Sequence, residues 1–152
     1  MNVKRAPVIF HNVISTTAIC HVSEWHLLAS DLRNAVISNG LYGTGPILYQ
    51  IKDLNKENQK AEYTFYLPIN QPIDMPENDK FRFIKKLEFK DGLVSRHAYL
   101  DEPLDFTYGL LGETAKLMDV NLQEPYFHIY LDVYGDGIID VYAPITQGDL
   151  ND

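Results

Sequence analysis

Residues 125–146, PYFHIYLDVYGDGIIDVYAPIT, decide the fold. Two alternating runs flank Asp136-Gly137, a pair suited to a tight turn because glycine takes positive φ without strain. A strand sends successive side chains to opposite faces. Phe127, Ile129, Leu131 and Val133 therefore share one side of the first run, and Tyr126, His128, Tyr130, Asp132 and Tyr134 the other. The return run alternates Ile139, Val141, Ala143 and Ile145 with Ile138, Asp140, Tyr142 and Pro144. The pattern predicts a β-hairpin with an apolar core face backed by an aromatic, hydrogen-bonding face.

The same plan occurs upstream. Pro7–Cys20 is rich in β-branched residues and reads as extended. Ser23 is placed as the N-cap of a helix, with Glu24 in its first turn, and Trp25, Leu28, Ala29, Leu32, Ala35 and Val36 recur at helical spacing. Asn39-Gly40 stops that helix. Strands at Ile47–Ile51 and Ala61–Ile69 follow around a polar loop at Asp53–Lys60. A Pro-containing, acidic connector spans 70–80. Strands at Phe81–Phe89 and Gly92–Leu100 flank Asp91-Gly92. Asp101 and Pro103 then open a second helix carrying Phe106, Leu110, Leu111, Thr114, Leu117 and Met118. Pro46 corresponds to Pro125 and Pro68 to Pro144, which aligns Tyr66 with Tyr142, Thr64 with Asp140, and Tyr49 with His128. The prediction is one α+β domain, residues 1–152, made of two pseudo-repeats (7–69 and 81–146) that share a core. Halves of this size are too small to be secure alone.

Composition narrows the function classes. The chain has 152 residues, 45% hydrophobic and 22% charged, with a formal net charge of −8. That balance excludes disorder and argues against direct contact with nucleic acid or an anionic membrane, both of which need clustered cations. A single cysteine, Cys20, forbids an internal disulfide and fits a reducing, cytoplasmic setting. No run reads as a signal peptide or reaches transmembrane length.

The repeated layout resembles the GyrI-like effector-binding domain, the duplicated ββαββ fold also attached to transcription activators of the AraC and MerR types. The residues that carry the resemblance are a strand ending near His97, a helix, a Pro-x-x-x-x-Tyr strand at Pro125–Tyr130, and a closing strand with an acid four residues before proline, Asp140–Pro144. The first half departs from it with Thr64 at the acidic position and Glu62 two residues earlier. The layout is also similar to proteins of Gram-positive bacteria that carry no assigned activity. The resemblance implies a pseudo-twofold fold of antiparallel sheets with two main helices, and a cleft between the halves that takes small, often lipophilic and cationic molecules. No helix pair for DNA is attached, which implies a stand-alone version.

Tyrosine and tryptophan rings offer π-faces to cations, and a partly buried carboxylate adds charge complementarity. The expected ligand-binding residues are Asp140, Tyr142, Tyr130, His128, Tyr66, Glu62, Tyr49 and Trp25, with Asp140 as the charge and His128 as a switchable donor or acceptor. The structural alternatives are that strands simply favour tyrosine, and that Asp140 pairs with a nearby Arg or Lys. No cofactor or metal is expected. Asp132, Asp136 and Asp140 miss calcium-loop spacing, and the histidines form no tight zinc pair. Cys20 and His21 point to opposite faces. Ser95 and His97 share a face, but no orienting acid is fixed by the sequence. A binding module is thus favoured over an enzyme. The alternatives are a protein-interaction module using an acidic, tyrosine-rich concave face, and a small hydrolase using the same cleft.

Overall fold

The hydrophobic periods of the sequence build the element order ββαββ twice in the computed structural model, which describes residues 3–98, 102–133 and 136–146. The elements are β1 (Val3–Arg5), β2 (Val8–His21), α1 (Trp25–Ser38), β3 (Leu48–Asn55), β4 (Lys60–Pro68), β5 (Phe81–Phe89), β6 (Gly92–His97), α2 (Asp105–Met118), β7 (Phe127–Val133) and β8 (Asp136–Pro144). This is the expected α+β class.

The chain groups into two compact units, and they do not follow the sequence repeat strictly. One unit comprises Ile9–Leu87, the other Met1–Val8 with Glu88–Asp152. In the first the strand order is β3-β4-β2-β5, and in the second β1-β6-β8-β7. Each unit thus takes its outermost strand from outside its own repeat: β5 lies beside β2, and β1, which precedes the first repeat, pairs with β6 from Val3↔Ser95 to Arg5↔Leu93. The Arg5 guanidinium clamps Asp91 at the β5–β6 turn, with Nη2 2.6 Å from Oδ2 and Nε 2.9 Å from Oδ1. That cation holds the Asp91 carboxyl below the usual carboxylate range.

In the first unit α1 buries Ala29, Leu32 and Val36, the centre of the expected stripe. Its start differs from the expectation. Glu24 stands at the N-cap with no side-chain cap bond, because the Ser23 hydroxyl is engaged by His21 Nδ1 at 2.8 Å. Its end is as expected: Asn39 is the C-cap, and Gly40 takes φ +77°, the left-handed turn that glycine adopts without strain. In the second unit α2 covers a cluster of Leu93, Leu111, Ala115, Ile139, Val141, Ala143 and Ile145. It begins after an N-cap at Leu104, later than Asp101-Pro103, and Asp101 lies outside the described residues.

The hairpin register corrects two expectations. Asp136 and Gly137 are not the turn. They pair in β8 with Val133 and Asp132, and residues 134–135 between the strands lie outside the described residues. A register in which Phe127 faces Tyr142 and Tyr130 faces Ile139 also sets even positions opposite odd ones. Directly opposed residues point to the same side of the sheet. The expected common face of His128, Tyr130, Asp140 and Tyr142 therefore does not form. His128 and Tyr130 lie with Val141 and Ile139 under α2, while Asp140 and Tyr142 lie with Ile129 and Phe127 on the other side.

Candidate functional site

The helix-covered side of each unit turns its aromatic residues into core. In the second unit His128 is 2% exposed, and its Nε2 lies 2.6 Å from the Tyr108 hydroxyl of α2. Tyr130 is half-buried against the core cluster. In the first unit Tyr49, the repeat counterpart of His128, is 2% exposed and packs tilted against Trp25 at 4.6 Å between centroids. Trp25 and Tyr49 are thus brought together as expected, but inside an aromatic cluster with Tyr63, 5.7 Å from Tyr49, and Phe65.

The opposite side carries the remaining four. Tyr142 is 1% exposed and donates its hydroxyl to the Ala6 carbonyl at 2.9 Å. Phe89 packs against it at 6.2 Å and against Phe127 at 5.0 Å. Burial pushes the Tyr142 phenol up to about 12, with the charge of Asp91 adding to the shift. Its neighbour Asp140 accepts a two-pronged bond from Arg96, Nε to Oδ1 at 2.8 Å and Nη2 to Oδ2 at 3.1 Å, which raises the Arg96 pKa. Asp140 is therefore an ion-pair partner, the alternative reading of that residue. Tyr66 donates to Gln50 Oε1 at 2.6 Å, and burial raises its phenol while Arg82 opposes the shift. Glu62 is half-buried opposite Lys52 and Ile19.

Among the described residues, Ser95 and His97 form no nucleophile–base pair. Ser95 is 1% exposed and its hydroxyl has no partner among the described residues. Both ring nitrogens of His97 are engaged elsewhere, Nδ1 with the Thr107 hydroxyl and Nε2 with the Glu102 carbonyl, each at 3.0 Å. Burial pushes the Cys20 thiol up, away from the reactive thiolate. Among the described residues, no three His, Cys, Asp or Glu side chains cluster in a way that would hold a metal ion. No helix among them is long and apolar enough to cross a membrane.

Each unit contains a cavity. In the first, about 400 Å³ opens between α1, β2 and the connector. Leu32, Ala35 and Val36 of α1, with its C-cap Asn39, form one wall, because their spacing keeps them on one side of the helix. Ile14 of β2 and Phe81 at the start of β5 close the floor, and Leu41, Gln71, Ile73, Asp74, Met75 and Pro76 form the rest. Among the described residues, Asp74 is the only ionisable residue on the lining. Among the described residues it has no ion-pair partner. The sequence reading missed this site by taking 70–80 as a plain connector. The signal was present: in PIDMP, residues 72–76, Ile73 and Met75 alternate with Pro72, Asp74 and Pro76, and in an extended segment both apolar side chains point inward. Their burial alternates accordingly, with Ile73 and Met75 half-buried and the other three exposed.

The second cavity, about 540 Å³, is lined by Asp140, Arg96, Lys4, Val94, Phe106 and Leu110 among others. Asp140 thus borders a cavity, with its charge already matched by Arg96. Ala98 and Glu102 also line it, and residues 99–101 between them lie outside the described residues.

Comparison with known proteins places the fold. The chain is similar to EcmrR in its complex with DNA at a TM-score of 0.70 and 16% identity, covering 97% of this chain and 59% of that one. Against the crystallised C-terminal domain of EcmrR the TM-score is 0.68 at 14% identity, covering 97% and 99%. A hydrolase from Listeria innocua gives 0.62 at 11%, covering 95% and 92%, and SAV2435 bound to tetraphenylphosphonium gives 0.50 at 11%, covering 96% and 94%. These likenesses show the fold alone, the α+β arrangement that the resemblance implied. No curated protein sequence matches the chain. The model of DUF5085, a domain of unknown function, matches residues 9–147, and the chain belongs to that family.

Proposed function

We propose that this chain is a small-molecule-binding domain of the effector-binding type, taking a lipophilic cation in the cavity between α1 and the connector. The observation that carries this reading is a largely apolar cavity of about 400 Å³ with one ionisable residue, Asp74, on its described lining. The volume falls in the ~300–1,000 Å³ range of ligand sites, which are mostly apolar with few polar groups. A cation entering it exchanges water for apolar contact and keeps its charge near an unmatched acid. The likeness to SAV2435, solved with tetraphenylphosphonium, supports the ligand class by analogy of fold.

The test is a thermal-shift and calorimetric titration with tetraphenylphosphonium and a neutral triphenyl analogue. Ligand at 100 times its Kd should stabilise the fold by about 2.7 kcal/mol. Asp74→Asn should weaken the cation about fivefold to tenfold, the worth of ~1 kcal/mol at an exposed charge, and leave the neutral analogue unchanged. Ala35→Phe fills the cavity and should abolish binding of both. Asp140→Asn, tested beside them, should change neither. Binding that survives Ala35→Phe, or no shift with any compound, would refute the reading.

A further inference from the structure

The connector is a strap across the cavity, fixed at its ends and nearly free in between. At its start, Ile69 N–H donates to the Asn12 carbonyl at 2.7 Å, and Asn70 Oδ1 accepts from Tyr42 N–H at 2.9 Å. At its end, Asn78 Oδ1 accepts from the amides of Lys80 at 2.9 Å and Phe81 at 2.7 Å, and the Thr16 hydroxyl donates to the Lys80 carbonyl at 2.8 Å. Among the described residues, the only hydrogen bond to the backbone of 71–77 is a local one, from Asn78 Nδ2 to the Pro76 carbonyl at 3.0 Å. Pro72 and Pro76 have no amide hydrogen to donate, and their fixed φ keeps the segment extended. What holds the strap down is the insertion of Ile73 and Met75 into the cavity. Segments with few buried contacts and solvent-exposed backbone open at the low end of the local-unfolding scale.

We infer that residues 71–77 are the gate of the α1 cavity: the strap swings between its Asn70 and Asn78 anchors, withdrawing Ile73 and Met75 to admit a ligand and carrying Asp74 back over it on closing. This rests on the small-molecule reading for its purpose, but the motion itself is a property of the ligand-free chain. Opening breaks no backbone ladder and leaves α1 and β2 in place, so the cavity's rigid wall stays formed while its mobile wall moves. The charge that favours a cation sits on the moving wall. Closure is thus the step at which cation and neutral ligand are told apart.

The chain holds only three methionines, Met1, Met75 and Met118, so ¹³C-methyl-methionine labelling places one probe on the strap and one on α2. Relaxation dispersion of these methyls reads µs–ms exchange. Met75 is expected to show exchange in the free protein and Met118 none. Asn78→Ala removes the side chain that accepts from two amides and should raise the open population about tenfold. Thr16→Val, which loses a single hydroxyl bond, should raise it about fivefold. Saturating tetraphenylphosphonium should quench the Met75 exchange. Flat dispersion at Met75 in the wild type and both variants overturns the gate, as does exchange of equal size at Met118, which would mean general loosening. Tight binding of tetraphenylphosphonium with a flat Met75 also overturns the gate while leaving the ligand reading intact. Exchange at Met75 that both variants enhance, with no response to any cation, supports the gate and removes the ligand class instead.

Discussion

Gly92→Ala tests whether Tyr142 is a structural post. Gly92 is buried in β6, diagonal to Tyr142 on the adjacent β8, and its φ lies outside the left-handed region, so alanine meets no backbone penalty. The obstacle is steric. An added Cβ would overlap Cζ and Oη of Tyr142 and come within 2.8 Å of its Cε1. The ring cannot move away cheaply, because Phe89 packs against it and its hydroxyl is bound to the Ala6 carbonyl. Overpacking of this kind costs ~1–3 kcal/mol, and losing the hydroxyl bond adds ~1 kcal/mol. The expected loss is about 3 kcal/mol, or a fall in Tm of roughly 6–12 °C for a domain of this size.

Urea denaturation of a double-mutant cycle measures it directly. In a Tyr142→Leu background the clashing atoms are gone, so adding Gly92→Ala should cost less than about 0.5 kcal/mol, and a coupling of about 2–3 kcal/mol should remain. Alanine even gains a few tenths to about 1 kcal/mol from the stiffer unfolded chain where the backbone tolerates it. Equal destabilisation in both backgrounds, or a single mutant within 0.5 kcal/mol of wild type, would refute the reasoning. The cycle bears on function because a tyrosine fixed on both sides cannot double as the movable wall of a ligand site.

Two further outcomes follow from the buried phenols and the buried imidazole. Burial raises Tyr142 and Tyr63 from the ordinary 10.0 to about 12. Their stabilisation is therefore complete below about pH 10 and lost as pH rises to about 12, a window that Tm against pH should reveal and that Tyr142→Phe should narrow. Tyr108→Phe removes the hydroxyl 2.6 Å from His128 Nε2 in the α2 core and should cost about 1–3 kcal/mol in chemical denaturation.

The elements were legible because their signals are local. The helical stripe from Trp25 to Val36, the Asn39-Gly40 stop and the alternation of β7 and β8 follow from side-chain period alone. Ser23 was misplaced as a cap because the competing His21 ring, two residues back, leaves no mark in a capping pattern. The common face of His128 and Asp140 failed on parity. A two-residue connection pairs even positions with odd ones, so two alternating strands never align their tyrosines merely because both alternate. The exchange of β1 and β5 between units is likewise invisible locally, since each strand looks the same whichever neighbour it pairs with.

The candidate site turns on which acid has a charge to spare. The sequence pointed to Asp140 because an acid on a tyrosine-rich strand is the conspicuous pattern. Yet a carboxylate held by a guanidinium through two bonds has its field largely cancelled at any ligand, and drawing it to a new cation means leaving Arg96 unmatched. Asp74 stands on a loop, between the half-buried Ile73 and Met75, and makes no ion pair among the described residues. Its field is screened by water while the cavity is empty and strengthens when an apolar ligand displaces that water. If Asp74 partners the ligand, the same carboxylate is then worth more to a bound cation than to a free one.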